Sequence, residues 1–300
     1  PTGEYRFAVD YRKLNKITKP QSFPLPRPQD IFDTIGNAKA QIFSVCDMTS
    51  SFFQIPLHQD TKHKTGFVVH SGVYQFRRLP FGMSNSTFSF QMVMNDVFRT
   101  MCWKQAIIYV DDLCLFSSSF ADHLAHLQEA FACLRSAGLK LKPSKCKFAA
   151  KEVSYLGYTV SKHGLQVDES KTEPVRKFPT PKNAHDVRTF LGLCQYYKRF
   201  VKGYAHIATP LTNLLRQDVP FEWTDNCELA FQQLKQALTS PPILAFPDFD
   251  REFLLFCDAS SSAISYILGQ KDSQGREVVI HYGGRSLNTA ERRWAISDRE

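Results

Sequence analysis

Two adjacent aspartates stand between two short apolar segments of the sequence. Asp111 and Asp112 separate residues 106–110 from 113–117, which have the length and composition of buried strands, so both carboxylates are predicted to lie in a hairpin turn. Unpaired carboxylates beside a core are costly unless a cation or hydrogen bonds compensate them. Mg²⁺ prefers a few carboxylate oxygens together with substrate phosphates. Two such ions about 3.5 to 4 Å apart activate an attacking oxygen and stabilise a leaving one.

A third acid from a separate strand would complete such a site. Asp47 directly follows the strand-like segment 41–46 and is the candidate. The spacing of the three aspartates does not by itself bring them together. The sequence therefore predicts a divalent-metal site whose assembly depends on the pairing of these strands.

Charge and composition bound the class of partner. Lys and Arg total 37 against 29 for Asp and Glu, which gives a net charge of +8 and a pI near 9.0. This balance favours a polyanionic partner, with nucleic acid ahead of a membrane surface. The eight cysteines show no metal-binding spacing, so we expect reduced structural thiols and an intracellular protein. No apolar run approaches the roughly 18 residues that a membrane span needs.

The elements around these residues are predicted from periodicity and turn residues. A chain of 300 residues favours two or three compact units. A hairpin is predicted around Ser71-Gly72, and a helix over 121–137 that Gly138 ends. From residue 252 the pattern becomes an antiparallel meander, which indicates the start of a new domain.

Three further groups have two interpretations each. His123 and His126 flank a helix face beside Asp122 and could be metal ligands, but we expect them to face solvent because no third ligand lies within reach. The Tyr- and Lys-rich stretch 196–204 either grips a duplex backbone or forms a helix exterior. A basic segment either is a solvated face or tracks phosphates. That segment contains Lys140, Lys142, Lys145, Lys147 and Lys151.

Six ordered motifs resemble those of a reverse transcriptase. They are Val9-Asp10-Tyr11-Arg12-Lys13-Leu14-Asn15-Lys16, Val45-Cys46-Asp47-Met48, Phe53-Gln54-Ile55, Leu79-Pro80-Phe81-Gly82-Met83, Tyr109-Val110-Asp111-Asp112 and Tyr155-Leu156-Gly157-Tyr158. Their order and spacing resemble gypsy/Ty3-type long-terminal-repeat retrotransposon Pol polyproteins along essentially the whole chain. Phe190-Leu191-Gly192-Leu193 and Cys257-Asp258-Ala259-Ser260 resemble the connection and the opening of the ribonuclease H domain in that family.

The resemblance implies an α+β fold. It is a right-hand polymerase of fingers, palm and thumb with an antiparallel palm sheet, followed by a truncated ribonuclease H-like domain. The expected domains are fingers and palm over 1–160, thumb and connection over 161–242, and the start of the ribonuclease H-like domain over 243–300. The N-terminal part of the fingers is expected to be missing.

The resemblance also implies roles for single residues. Asp47, Asp111 and Asp112 match a catalytic triad that holds Mg²⁺ or Mn²⁺ beside the primer 3′ end and the incoming nucleotide. Leu156 and Gly157 fall in the primer grip. The implied nucleotide-binding residues are Arg6, Phe52, Phe81 and Gly82.

These nucleotide-binding roles each compete with an ordinary alternative. Phe52 matches the aromatic beneath the sugar that excludes a 2′ hydroxyl, but it and Phe81 also fit a hydrophobic core. Arg6 matches a triphosphate-binding arginine and also fits a surface position near the chain terminus.

In the ribonuclease H region, Asp258 and Glu300 match two metal ligands, while the later acidic ligands lie beyond the chain. We therefore expect no RNA cleavage by this chain alone. Ser265 and Tyr266 stand where the family has small residues, and Gly283-Gly284 replace Ala-Ser. These departures suggest relaxed constraint or a degraded copy of the element.

The function implied is RNA-directed DNA polymerase, and the rival hypothesis is an inactive or domesticated fragment that only binds nucleic acid. The implied partners are an RNA template, a DNA or tRNA primer, the RNA–DNA hybrid and dNTPs. Protease and integrase domains would share the parent polyprotein, and no membrane partner is expected. A cytoplasmic virus-like particle is the expected location, with the nucleus as the alternative.

Overall fold

The computed structural model describes residues 7–216, 219–288, 290–295 and 298. The boundary between two compact units lies between Val153 and Ser154. Within the described residues, no helix is long and apolar enough to cross a membrane.

The first unit is built on a four-stranded antiparallel sheet. Its strands are β1 (Ile42–Asp47), β4 (Ala106–Tyr109), β5 (Asp112–Ser117) and β6 (Lys147–Ala150), in the order β4-β5-β1-β6. The two central strands, β1 and β5, are buried along most of their length because their residues are mostly apolar. β1 and β5 pair in continuous register from Ile42 opposite Ser117 to Asp47 opposite Asp112.

Four helices and a hairpin complete this unit: α1 (Arg12–Ile17), α2 (Pro28–Asn37), α3 (Ser86–Val97), α4 (Phe120–Ser136), β2 (Phe67–Val69) and β3 (Gly72–Tyr74). The predicted helix over 121–137 is confirmed as α4, and Gly138 follows it with φ +67°. The predicted hairpin is also present, with its turn at His70-Ser71 because Val69 pairs with Gly72.

The core of the first unit lies between the sheet and two helices. α3 and α4 bury apolar side chains against residues of β1, β4 and β5. The helical side chains are Phe90, Met94, Leu127, Ala130 and Leu134. The two helices cover one face of the sheet. Asp47 and Asp112 lie at the ends of its central strands, β1 and β5.

The second unit combines two small antiparallel sheets with four helices. Its first sheet contains β7 (Glu152–Tyr155), β8 (Tyr158–Ser161) and β9 (Gly164–Val167). The helices are α5 (Glu169–Arg176), α6 (Ala184–Gln195), α7 (Tyr204–Asn213) and α8 (Asp225–Thr239). The predicted meander is confirmed as β10 (Leu254–Ala259), β11 (Ala263–Lys271) and β12 (Glu277–Ser286).

Candidate active site

Strand pairing brings two of the three predicted carboxylates face to face. Asp47 is the last residue of β1, Asp112 is the first of β5, and the two are register partners. Side chains of directly opposite residues lie on the same face of a sheet. Asp111 precedes Asp112 in the turn between β4 and β5. The predicted position of Asp112 in this turn is wrong, because Asp112 pairs with Tyr109 and the turn is Val110-Asp111.

The surroundings of Asp112 disfavour its negative charge. Burial is the largest cause of a raised pKa of this carboxyl, and the charges of Asp111 and Asp47 add to it. Lys145 acts in the opposite direction. Its Nζ lies 3.1 Å from Oδ2 of Asp47, so a cation already neutralises part of the cluster.

The donor set fits a hard divalent cation, since all three groups are carboxylates and Mg²⁺ and Mn²⁺ prefer oxygen ligands. In the part of the chain that the structure describes, no three His, Cys, Asp or Glu side chains are placed to hold one ion together. The Asp47 carboxylate is directed to Lys145 instead. A divalent ion that took Asp47 as a ligand would compete with Lys145 for its carboxylate.

A buried glutamine supports the turn that carries Asp111. Gln91 on α3 is fully buried; its Oε1 accepts the N–H of Val110 at 2.7 Å, and its Nε2 donates to the carbonyl of Ile108 at 3.1 Å. Val110 has φ +53°, a conformation that β-branched residues rarely adopt. Sequence reasoning missed Gln91, for which a glutamine among the apolar residues of α3 was the only signal.

The aromatic residues predicted to bind nucleotide lie together. The ring centroids of Phe52 and Phe81 are 5.1 Å apart in an edge-to-face arrangement, and Phe90 lies 5.3 Å from Phe52. Phe52 is 9% exposed and belongs to the hydrophobic core of its unit. Arg6 lies outside the described residues.

Gly82 lies in a loop that Asn15 holds from both sides. The Asn15 side-chain amide donates to the carbonyl of Gly82 at 2.8 Å, and its Oδ1 accepts the N–H of Ser84 at 2.9 Å. Gly82 has φ +88°, which favours glycine. The loop following Phe81 is therefore fixed by its own glycine and by Asn15 of the segment 9–16.

Leu156 and Gly157 form the turn between β7 and β8, both with positive φ (51° and 80°). The hydroxyl of Tyr196 donates to the carbonyl of Leu156 at 3.0 Å, and that of Tyr197 to the carbonyl of Gly157 at 3.3 Å. A Cβ on Gly157 would lie 2.9 Å from the Tyr197 hydroxyl. The tyrosine pair of the 196–204 stretch thus supports this turn, and Tyr197 is buried.

The expectation that His123 faces solvent is wrong. His123 is fully buried, with Nε2 2.7 Å from Oγ of Ser44 and Nδ1 2.8 Å from Oγ of Ser117. Ser117 Oγ also lies 2.8 Å from Nδ1 of His126. Burial and the neighbouring His126 lower the pKa of His123. The two histidines therefore connect α4 to β1 and β5 through Ser44 and Ser117. The residues next to them in the sequence gave no sign of these contacts.

The ribonuclease H-like region contains a cavity of about 520 Å³ beside Asp258. Tyr266 and His281 stack on its wall with ring centroids 5.8 Å apart. Asp258 is exposed on β10, while Glu300 lies outside the described residues.

The unusual residues of this region are packed against each other. Tyr266 is the register partner of Gly283, where an added Cβ would lie 2.1 Å from a Tyr266 ring atom. The large residue on β11 is thus matched by a small one on β12. Relaxed constraint or a degraded copy of the element stays a prediction, and the packing adds that the Tyr266 ring fills the space beside Gly283.

Comparison with known proteins assigns the chain to a family. Residues 1–160 match the family described as reverse transcriptase (RNA-dependent DNA polymerase), and residues 223–300 match the RNase H-like domain found in reverse transcriptase. The chain belongs to the reverse transcriptase family, which confirms the resemblance of its motifs.

Similar relatives are Pol polyproteins of transposons. The chain is 37% identical over 297 residues to the retrovirus-related Pol polyprotein from transposon 412 of Drosophila melanogaster, covering 99% of the chain and 24% of the relative. It is 36% identical over 307 residues to that from transposon gypsy of the same organism, covering 98% and 29%. The transposon Tf2-3 polyprotein of Schizosaccharomyces pombe is 30% identical over 298 residues, with 99% and 22% covered. The chain spans about a quarter of the length of these relatives.

Solved structures confirm the expected fold. The foamy viral protease-reverse transcriptase in complex with dsDNA has a TM-score of 0.87 at 21% identity, covering 99% of this chain and 62% of that one. The same viral protein in complex with RNA/DNA hybrid has a TM-score of 0.82 at 20% identity, covering 100% and 40%. The chain has the α+β reverse-transcriptase polymerase fold followed by a ribonuclease H-like region.

Proposed function

We propose that this chain is an RNA-directed DNA polymerase that extends a primer by nucleotidyl transfer. The observation that carries the proposal is the register of β1 and β5, which sets Asp47 opposite Asp112 with Asp111 adjacent in the turn. This clustering is electrostatically unfavourable, as the raised pKa of Asp112 shows, and a function in cation binding accounts for it.

Asp47, Asp111 and Asp112 would hold Mg²⁺ or Mn²⁺. The bound ion would supply charge stabilisation for in-line attack of a primer 3′ hydroxyl on the α-phosphate of a nucleotide. The chain itself orients these carboxylates: the β1–β5 pairing positions Asp47 and Asp112, and Gln91 holds the turn before Asp111. Lys145 pairs with Asp47, and a bound ion would compete with it for this carboxylate.

The remaining predicted site residues have assigned roles in this proposal. Phe52 lies beneath the sugar of a dNTP and disfavours a 2′ hydroxyl, while Phe81 and Gly82 contact template and nucleotide. Arg6 contacts the triphosphate. Leu156 and Gly157 act as the primer grip on a turn that Tyr196 and Tyr197 hold.

Several finer assignments belong to the same proposal. The template is RNA, the primer is DNA or tRNA, and the parent polyprotein carries protease and integrase in a cytoplasmic virus-like particle or the nucleus. Domain boundaries after residues 160 and 242 stay predictions. In the ribonuclease H-like region, Asp258 and Glu300 are assigned as metal ligands.

The rival function is nucleic-acid binding without catalysis. Primer extension separates the two, using the purified chain, an RNA template with a DNA primer, dNTPs and either Mg²⁺ or Mn²⁺. We expect extension by the wild type and by Asp60→Asn, a control at an exposed carboxylate. Asp111→Asn should lose at least about 1,000-fold in rate, since the ligands act as a unit, while binding primer–template equally well. Binding without extension by the folded wild type would refute polymerase activity for this chain and favour the rival.

A further inference from the structure

Two cysteines lie opposite each other beside Asp47, one on strand β1 and one just before strand β6. Cys46 is the next-to-last residue of β1, and Cys146 directly precedes β6. Val45 pairs with Lys147, so the antiparallel register places positions 46 and 146 opposite one another. The Cys146 side chain is a neighbour of the Cys46 thiol and contributes, after burial, to the raised pKa of that thiol. Cys46 is fully buried, and Cys146 packs against the same core while remaining partly accessible.

Cys146 also contacts the backbone that carries the candidate metal ligand. Its Sγ lies 3.9 Å from the carbonyl oxygen of Asp47 and 3.3 Å from that of Lys142. The N–H of Lys142 donates to the same Asp47 carbonyl at 2.9 Å. Lys145, the residue before Cys146, forms the ion pair with Asp47. The thiol pair thus lies where the two chain segments around Asp47 are joined.

We propose that Cys46 and Cys146 are a redox modification site, which a hydroperoxide converts to a reversible disulfide. The Cys146 thiolate attacks one peroxide oxygen, the O–O bond breaks, and a sulfenic acid forms with release of water or an alcohol. The Cys46 sulfur then attacks the sulfenic sulfur, the S–S bond forms, and the hydroxyl leaves as water with the Cys46 proton. Two thiols are oxidised by one electron each, and the peroxide accepts both electrons.

The register selects this pair from the neighbouring cysteines. Cys114 on β5 is the partner of Val45, whereas Cys46 is opposite Leu113, so Cys114 and Cys46 point to opposite faces of the sheet. Cys133 packs against the same core from helix α4. Cys257 is exposed in the second unit.

Bond formation should displace Asp47. Opposite residues in an antiparallel pair have Cβ atoms about 4.5 to 5.5 Å apart, while a disulfide needs about 3.8 Å. The two segments must therefore move closer by about 1 Å, a shift large enough to disturb a catalytic constellation. This consequence rests on the proposed polymerase function, whereas the disulfide itself does not.

The test uses the full chain with Cys257→Ser, which removes the exposed thiol. After hydrogen peroxide treatment and alkylation, a non-reducing digest should contain a peptide linking residues 46 and 146. The free-thiol count should fall by two and return with dithiothreitol. Cys146→Ser should abolish the link, and Cys133→Ser should retain it. A different linkage, or Cys146 oxidised to sulfinic acid while Cys46 stays free, would overturn the proposal.

Primer extension on the same samples tests the consequence. Oxidation should lower the rate at least about 5-fold, with recovery in dithiothreitol and no effect in the Cys146→Ser variant. A linked peptide with unchanged extension would overturn the effect on Asp47 and leave the modification site in place. If the untreated chain does not extend primers, the polymerase proposal fails, and the peptide map still decides the disulfide.

Discussion

The side-chain oxygen of Gln91 accepts the backbone N–H of Val110 at 2.7 Å, which joins helix α3 to the turn before Asp111. Val110 has φ +53°, and a residue in such a conformation costs about 1 to 3 kcal/mol unless its surroundings fix it. The Gln91 amide also donates to the carbonyl of Ile108, two residues before Val110 on β4. A buried side chain outside the carboxylate cluster therefore determines where the Asp111–Asp112 backbone lies.

Replacing Gln91 by leucine should uncouple this turn from α3. The Val110 N–H and the Ile108 carbonyl lose their partner, which should destabilise the fold by about 1 to 3 kcal/mol. Displacement of Asp111 should lower single-turnover primer extension by about 10- to 100-fold, with primer–template affinity unchanged. Gln128→Leu on the exposed face of α4 is the matched control. Wild-type extension by a folded Gln91→Leu chain would contradict the positioning role.

The Lys145–Asp47 ion pair should compete with metal. Lys145→Met removes the cation 3.1 Å from Asp47, so the carboxylate cluster should bind Mn²⁺ several-fold more tightly. Electron paramagnetic resonance titration of free Mn²⁺ measures this affinity without any enzymatic turnover. Lys151→Met, at an exposed lysine, should bind like the wild type. Equal affinities in both variants would show that the ion pair does not restrict the site.

Nucleotide selection should depend on Phe52. Phe52→Leu shortens the side chain proposed to lie beneath the sugar, so the dNTP-to-rNTP ratio of kcat/KM should fall about 10-fold or more. The ring also packs against Phe81 and Phe90, so a loss of about 1 to 3 kcal/mol in stability should accompany the change. Phe53→Leu is the control, because Phe53 also packs against Phe81 but is not proposed to lie beneath the sugar. Its dNTP-to-rNTP ratio should stay at the wild-type value. An unchanged ratio would assign Phe52 to the core alone.

How well the site could be predicted from the sequence depended on how far apart in the chain the interacting residues lie. Strand composition was enough to expect Asp47 and the Asp111–Asp112 pair at strand ends, and the β1–β5 register brings Asp47 and Asp112 together. The position of the turn differed by one residue because Asp112 has a pairing partner in Tyr109. Local periodicity contains no information about such partners.

Buried polar residues were the main failure of the sequence-based expectations. His123 lies between Ser44 and Ser117, which are 79 and 6 positions away in the chain. Gln91 likewise finds its partner 19 residues away. A polar residue on a helix is usually solvated, so only the tertiary partners show that these two are satisfied inside the core.

Stability of the second unit should depend on pH through His281. Burial, assisted by Arg199 and Lys198, lowers the pKa of His281 from 6.5 to about 4. The unfolded chain therefore binds the proton first, so this contribution is fully present above about pH 6.5 and is lost as the pH falls towards 4. Thermal unfolding between pH 7.5 and 4.5 should show a shallower pH dependence for His281→Gln. Identical slopes for His281→Gln and the exposed-site control His163→Gln would contradict this.

Tyr266 and Gly283 should show strong energetic coupling. In the wild-type background, Gly283→Ala places a Cβ 2.1 to 2.4 Å from the Tyr266 ring and should destabilise by about 1 to 3 kcal/mol. In a Tyr266→Ala background the same substitution has room, so the double variant should be at least about 1 kcal/mol more stable than the sum of the singles predicts.

Gly284→Ala supplies the comparison for this cycle. Its Cβ would lie 2.5 Å from the backbone oxygen of Ile264 at φ +154°, so its penalty should remain with or without the Tyr266 ring. Urea unfolding of the six chains gives both coupling energies. Additive behaviour at Gly283 would contradict the steric relation between the Tyr266 ring and position 283. Coupling confined to Gly283 would show that the ring occupies the space that a Cβ at this position would need.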